Sequence, residues 1–182
     1  MADANQVTTI DQRSFVGRYP GKLRYRKTRA NSGEKLSTSQ VDRLVKAAKY
    51  HGRHGLRDAT LIMMAFQHGL KISELINLKW NHIDLKEGTL LVSRLKNGQK
   101  TIHPLTEKEI NNLRLLEDKY TDLEYVFVSE RKTPLSSEHV RKMIKRAGEE
   151  AGLSSQIRPK MLNRSCGFNL LSIRAAAQVT QH

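Results

Sequence analysis

A lysine set between two apolar stretches has the clearest chemical potential in this sequence. Lys71 stands in Gly69-Leu70-Lys71-Ile72-Ser73-Glu74-Leu75, after Leu61 to Phe66 and ahead of Leu75 and Leu78. An unpaired buried ammonium is expensive, so a cation in such company points to an anion to be bound. Glu74 is spaced to share its helical face and hold it. A solvated surface lysine with an incidental acidic neighbour fits the same spacing. More cations recur along the chain. From Gln12 to Gly33 there is no acid, while Arg13, Arg18, Lys22, Arg24, Arg26, Lys27 and Arg29 are all charged. Lys96 and Lys100 flank Asn97-Gly98, and Arg141, Lys142, Lys145 and Arg146 crowd one later stretch. The chemistry these imply is neutralisation of phosphate charge. His51 and His54 suggest a metal pair, but Gly52 and Gly55 put them in a loop with no third ligand near, so they read as solvated and no metal or cofactor is expected.

The composition agrees. The chain has 182 residues, with 32 Lys and Arg against 18 Asp and Glu, for a net charge of +14. That excess is the footprint of a protein that meets a polyanion, with nucleic acid the first candidate. Aromatic residues make up only 5%, which argues against a base-stacking single-strand binder and leaves double-stranded DNA. The single cysteine, Cys166, excludes an internal disulfide and a cysteine-based metal site, and fits a reduced cytoplasmic location. No apolar run is long enough to span a membrane, and the first residues lack a signal-peptide layout.

The elements that must position these groups can be read in order. Residues 1–35 read as a flexible basic arm, punctuated by Gly17, Pro20, Gly21 and Gly33. Residues 36–182 read as one domain. Ser37 with Gln40 forms a capping box ahead of Val41, Leu44, Val45 and Ala48, and the helix should stop near Gly52. Arg57 to His68 reads as a buried helix ended by Gly69. Thr89 to Ser93 and Thr101 to His103 read as strands joined by the Asn97-Gly98 hairpin turn, with Lys96 at the tip. Thr106 and Glu109 cap a helix carrying Ile110, Leu113 and Leu116. Tyr125 to Val128 reads as an edge strand of the same sheet. Ser136 or Ser137 caps a helix with its stripe on Val140, Met143, Ile144 and Ala147, ended by Gly152. Pro159 starts a last helical stretch through Ile173.

In this order the segments resemble the catalytic domain of the tyrosine recombinase, or phage integrase, family, nearest to the short recombinases that invert fimbrial promoter DNA. The likeness runs from about Leu36 to Gln181. Gly69 to Leu75 with Leu78-Lys-Trp-Asn-His-Ile-Asp84 resembles the first conserved box. Arg94-Leu-Lys-Asn-Gly98 with Thr101-Ile-His-Pro-Leu105 resembles the β-hairpin, and Ile157 to Phe168 resembles the second box. The resemblance implies a mainly α fold with a small antiparallel β-sheet (α+β). It also implies a family chemistry in which a tyrosine attacks the scissile phosphate, two arginines brace it, a hairpin lysine acts as acid and histidines assist. Charge builds on the phosphate oxygens in the transition state, so preformed cationic donors supply most of the rate.

By that resemblance Lys71 takes the place of the first arginine and Glu74 that of its acidic neighbour. Lys96 matches the hairpin lysine, Lys160 stands for a histidine, and Asn163 for the second arginine. Arg164 falls one position late, roughly 100° around a helix. The third box and the tyrosine would lie beyond His182, and neither Tyr120 nor Tyr125 is a replacement. Each lost donor costs on the order of 10²- to 10³-fold. The expectation is a non-cleaving DNA-binding relative, using Arg24, Arg26, Lys27, Arg29, Lys71, Lys96, Lys100, Arg141, Lys145, Lys160 and Arg164. It would stand alone at recombination-type sites or beside an intact recombinase, and would not form the family's tetramer by itself. An active recombinase that takes its tyrosine from another chain, and a protein-interaction module without DNA, are the alternatives.

Overall fold

A computed structural model describes residues 35–93, 100–153 and 157–166. Its first helix, α1 (Thr38–His51), begins where the sequence signals it should. Ser37 Oγ accepts from the Gln40 N–H at 3.3 Å, and Gln40 Oε1 accepts from the Ser37 N–H at 2.8 Å. Such reciprocal caps satisfy two of the orphan donors at a helix start and contribute about 1 kcal/mol. After a tight connection, α2 (Gly55–Gln67) lies against α1. It starts two residues earlier than Arg57, the predicted first residue. The reason is steric: a Cβ at Gly55 would stand 1.9 Å from the Lys49 carbonyl oxygen, so only glycine lets the two backbones meet there.

From Ala59 to Phe66 every α2 residue is buried, and this helix is the axis of the core. A short helix, α3 (Ile72–Ile76), and a 3-10 turn (Trp80–His82) lead into the sheet. The sheet has three antiparallel strands in the order β1 (Ile83–Asp84), β2 (Thr89–Ser93) and β3 (Lys100–Pro104). Leu90 pairs with His103 and Val92 with Thr101. Leu90 and Val92 are buried while Ile102, opposite Leu91, faces out, as the two-residue period of a strand requires. The predicted turn at Asn97-Gly98 lies outside the described residues.

Tyr125 to Val128 does not join that sheet as an edge strand; the third strand is Ile83–Asp84. Instead the Val126 N–H donates to Leu78 O at 3.0 Å and the Leu135 N–H to Phe127 O at 3.2 Å, so the segment threads between two loops. Only single bridges form, Lys79 with Tyr125 and Val128 with Pro134. The apolar run is there because Val126, Phe127 and Val128 are almost wholly buried, which periodicity cannot separate from a strand.

Helix α4 (Glu107–Lys119) is capped by Thr106 with Glu109, and α5 (Ser137–Glu150) by Ser136, whose Oγ accepts from the His139 N–H at 3.1 Å. Helix α5 packs on α1 through Val140, Met143, Ile144 and Ala147. Gly152, at φ +61°, ends it in the left-handed conformation that glycine adopts most easily. The final described helix, α6, covers 159–166 and buries Met161 and Leu162. Among the described residues no helix is long and apolar enough to cross a membrane.

Candidate functional site

The turn that carries Lys71 is built from the end of α2. The His68 N–H closes the helix on Met64 O at 3.1 Å, and Gly69 then takes φ +61°. Leu70 and Leu75 turn into the core on either side, which leaves Lys71 between them pointing to solvent. Lys71 is therefore not hemmed in by apolar neighbours, and its ammonium stays hydrated at no desolvation cost. Glu74 does not hold that ammonium. Its Oε2 accepts from the Lys71 backbone N–H at 2.9 Å and so caps the first turn of α3. The cap runs one way only, because a lysine side chain has no acceptor to return.

The second box meets this turn directly. Ile157, just ahead of α6, and Met161 and Leu162 within it enter the core, and Ser165 Oγ donates to Met161 O at 2.7 Å while accepting from the Leu36 N–H at 2.7 Å. On the same side, Asn163 Nδ2 donates to the Gly69 carbonyl and Cys166 Sγ donates to Gln67 O at 3.3 Å. Lys160 and Arg164 are exposed, one helical turn apart. The two boxes are thus joined through Asn163 and Gly69, with exposed Lys71 following Gly69 in the first box and exposed Lys160 preceding Asn163 in the second.

Beneath the turn lies a buried pair that sequence reasoning missed. His68 Nε2 stands 3.0 Å from Glu109 Oε1, and both side chains are almost fully enclosed. Burial alone would raise the Glu109 carboxyl, but the His68 contact and two hydrogen bonds from Thr106 outweigh it and hold the group below its usual range. The His103 ring of β3 meets His68 edge-on at 5.4 Å, and its Nε2 lies 3.0 Å from Thr101 Oγ1. The first-box turn, α4 and the hairpin strand are connected through these side chains. Each residue had a local reading, as a helix end, a cap or a strand position, so nothing in the order of residues signalled their meeting.

A second polar cluster sits at the other end of α2. Arg57, 2% exposed, directs Nε and Nη2 at Asp58 Oδ1, at 2.9 and 2.7 Å, and Nη1 at Val128 O at 2.7 Å. His139 Nε2 lies 3.4 Å from Arg57 Nη2; burial, and then the guanidinium charge, push His139 below its ordinary pKa. His54 is not simply solvated in its loop. Its Nε2 reaches Glu130 at 3.1 Å, and Arg53 reaches the same oxygen at 2.8 Å.

The basic face of α5 is partly compensated. Lys142 meets Glu138 at 2.8 Å and Lys145 meets Glu149 at 3.8 Å, whereas Arg141 and Arg146 carry no ion pair among the described residues. Lys100 is exposed at the start of β3. Lys96 and the arm residues Arg24, Arg26, Lys27 and Arg29 lie outside the described residues. No group of three or more metal-binding side chains is present among the described residues.

The family model described as the phage integrase family matches residues 34–182. The chain belongs to this family. It is 36% identical over 151 residues to the type 1 fimbriae regulatory protein FimB of Escherichia coli K12, covering 80% of this chain and 75% of FimB. Its fold matches the crystal structure of XerA recombinase with a TM-score of 0.65 at 26% identity, over 75% of this chain and 50% of that one. It also matches the XerH site-specific recombinase bound to difH substrate, at a TM-score of 0.67 and 20% identity, over 83% of this chain and 47% of that one. The chain spans about half the length of these solved recombinases. Its fold is that of the tyrosine recombinase catalytic domain, mainly helical with one three-stranded antiparallel sheet.

Proposed function

We propose that this chain binds double-stranded DNA through its phosphates and does not itself cleave it. The observation that carries this reading is the junction of the two boxes. Exposed cations, Lys71 and Lys160, lie within three residues of it along the chain, while one N–H of the Asn163 amide is engaged by the Gly69 carbonyl. Lysine attracts a phosphate as a point charge but lacks the planar fork with which arginine grips one. A neutral amide with one N–H already given to backbone offers less to a developing negative charge than a guanidinium does. Two missing donors together cost on the order of 10⁴-fold or more in rate, taking each at about 10²-fold. Attraction survives such changes; transition-state bracing does not. The net charge of +14, with Lys100, Arg141 and Arg164 also exposed, supports a surface that follows a phosphate backbone. The resemblance of the XerH complex, a recombinase on its DNA substrate, supports the same class of ligand. The arm of residues 1–35 and Lys96 belong to this reading as further phosphate contacts, with the cytoplasm as its location. An intact recombinase bound at the same sites is its natural protein partner.

The test is fluorescence anisotropy on duplexes with inverted repeats across a salt series, paired with nicked suicide substrates. Expected are an affinity that falls steeply with salt and no covalent DNA adduct. An affinity indifferent to salt overturns the phosphate reading. A covalent adduct on this chain, or adduct formation with a tyrosine supplied by a second recombinase, overturns the non-cleaving reading.

A further inference from the structure

We infer that Asn163 is a positioning residue for Lys71, fixing from the second box the backbone that aims the lysine of the first. This rests on the phosphate-binding reading of Lys71. A helix that ends leaves its last carbonyls without partners inside the helix. At the end of α2 one of these, on Gln67, accepts from Cys166 Sγ of α6 at 3.3 Å, and the Gly69 carbonyl in the turn beyond accepts from Asn163 Nδ2 of the same helix. Positions 163 and 166 lie on one face of a helix, so a single rigid face holds both. Contact is close here for another reason. A Cβ at Gly69 would stand 3.3 Å from Cys166 Sγ, so the absence of a side chain lets α6 approach the turn.

From the other direction Glu74 Oε2 holds the Lys71 N–H at 2.9 Å. The segment from Gln67 to Lys71 is therefore pinned at both ends and at Gly69 in the middle. The Lys71 side chain is exposed. Its reach is set by where its Cα is held, and Asn163 supplies the central restraint. The restraint is made by one N–H of the Asn163 amide, the one donated to the Gly69 carbonyl.

A double-mutant cycle between Lys71→Ala and Asn163→Leu in the full chain tests this, with duplex affinity at two salt concentrations as the readout. Leucine keeps the branched outline of asparagine, at a larger volume, and removes the donor. Lys71→Ala should weaken binding less in the Asn163→Leu background than in the unmodified chain, a coupling of about threefold or more. The same cycle with Arg141→Ala should be additive within about twofold. A residue that only stabilises the fold would lower the melting temperature and leave both cycles additive, which overturns the inference. If Asn163→Leu does not fold, amide hydrogen exchange on Asn163→Ser replaces the cycle. Faster exchange across 68–74 with α1 unchanged supports the inference, and uniform or unchanged exchange overturns it. Failure of the unmodified chain to bind DNA is a separate outcome: it removes the phosphate reading, and the positioning of Lys71 for phosphate falls with it.

Discussion

The imidazole of His68 and the carboxylate of Glu109 meet at 3.0 Å, with His68 5% exposed and Glu109 wholly enclosed. Removing one partner of such a buried contact leaves a hydrogen bond of the other unmade, which costs about 1–3 kcal/mol. Glu109→Ala should therefore destabilise more than Thr106→Ala, which removes a cap worth about 1 kcal/mol and one of the two Thr106 hydrogen bonds to that carboxylate. Urea unfolding at neutral pH measures both, and a similar small loss for the two variants would show that the pair contributes little.

The same carboxylate fixes a direction with pH. Its folded pKa lies below the ordinary 4.5, so the unfolded chain takes up protons first on acidification. The stability it contributes is present above that ordinary value and is lost as pH falls through the folded pKa. Glu109→Gln should flatten the acid limb of a stability–pH curve, as read by unfolding midpoints.

His139 acts in a higher window. Burial and the Arg57 guanidinium hold its pKa below the ordinary 6.5, with Asp58 acting against them and His54 and Arg146 adding to the depression. Protonation at Nε2 would also face the N–H of Arg57. Stability from neutral His139 is present above pH 6.5 and lost as pH falls through the folded pKa, so the melting temperature should drop on going from about pH 7.5 to about pH 5. His139→Asn should reduce that dependence; an unchanged pH profile would remove His139 as its source.

Arg141 and Lys142 are neighbours on α5 with different freedom. Lys142 is held by Glu138 at 2.8 Å, which raises its pKa, whereas Arg141 has no such partner among the described residues. Arg141→Ala should lower the log–log salt slope of DNA binding by about one, the value for one phosphate contact, and Lys142→Ala by clearly less. Equal slopes for the two would mean that Glu138 does not occupy Lys142.

Backbone conformation gives a last, opposed pair. A Cβ at Gly55 would overlap the Lys49 carbonyl at 1.9 Å, so Gly55→Ala should cost about 1–3 kcal/mol. Lys132 holds φ 61°, a left-handed conformation that strains an ordinary side chain, so Lys132→Gly should gain up to about 1 kcal/mol. Both are read from denaturation midpoints.

What the sequence discloses depends on the range of the interaction. Ser37, Thr106 and Ser136 each act within three residues, so the starts of α1, α4 and α5 are legible from local chemistry. The strands β2 and β3 follow from alternation, and the order of the boxes leads to the fold. Tyr125 to Val128 misleads because apolar runs look alike whether they pair in a sheet or thread a core. The start of α2 is shifted by a contact between Gly55 and another helix. In the site, Lys71 and Glu74 are legible as neighbours, but which atom of Lys71 Glu74 binds is not, since side-chain and backbone partners share one spacing. Asn163 and Gly69 are 94 positions apart, and His68 and Glu109 are 41, so only the folded chain joins them.

The bond from the Leu36 N–H to Ser165 Oγ has a consequence for how the chain is made. It closes a span of 129 residues. At a synthesis rate of about 5–20 residues per second, Leu36 waits on the order of ten seconds for Ser165 to be made. During that interval α1 and α2 can pair, since their contacts are local, but the entrance to α1 stays untied and the apolar side meant for α6 faces water. A nascent chain halted short of Ser165 therefore has every earlier helix in hand and still lacks the closure that completes its core.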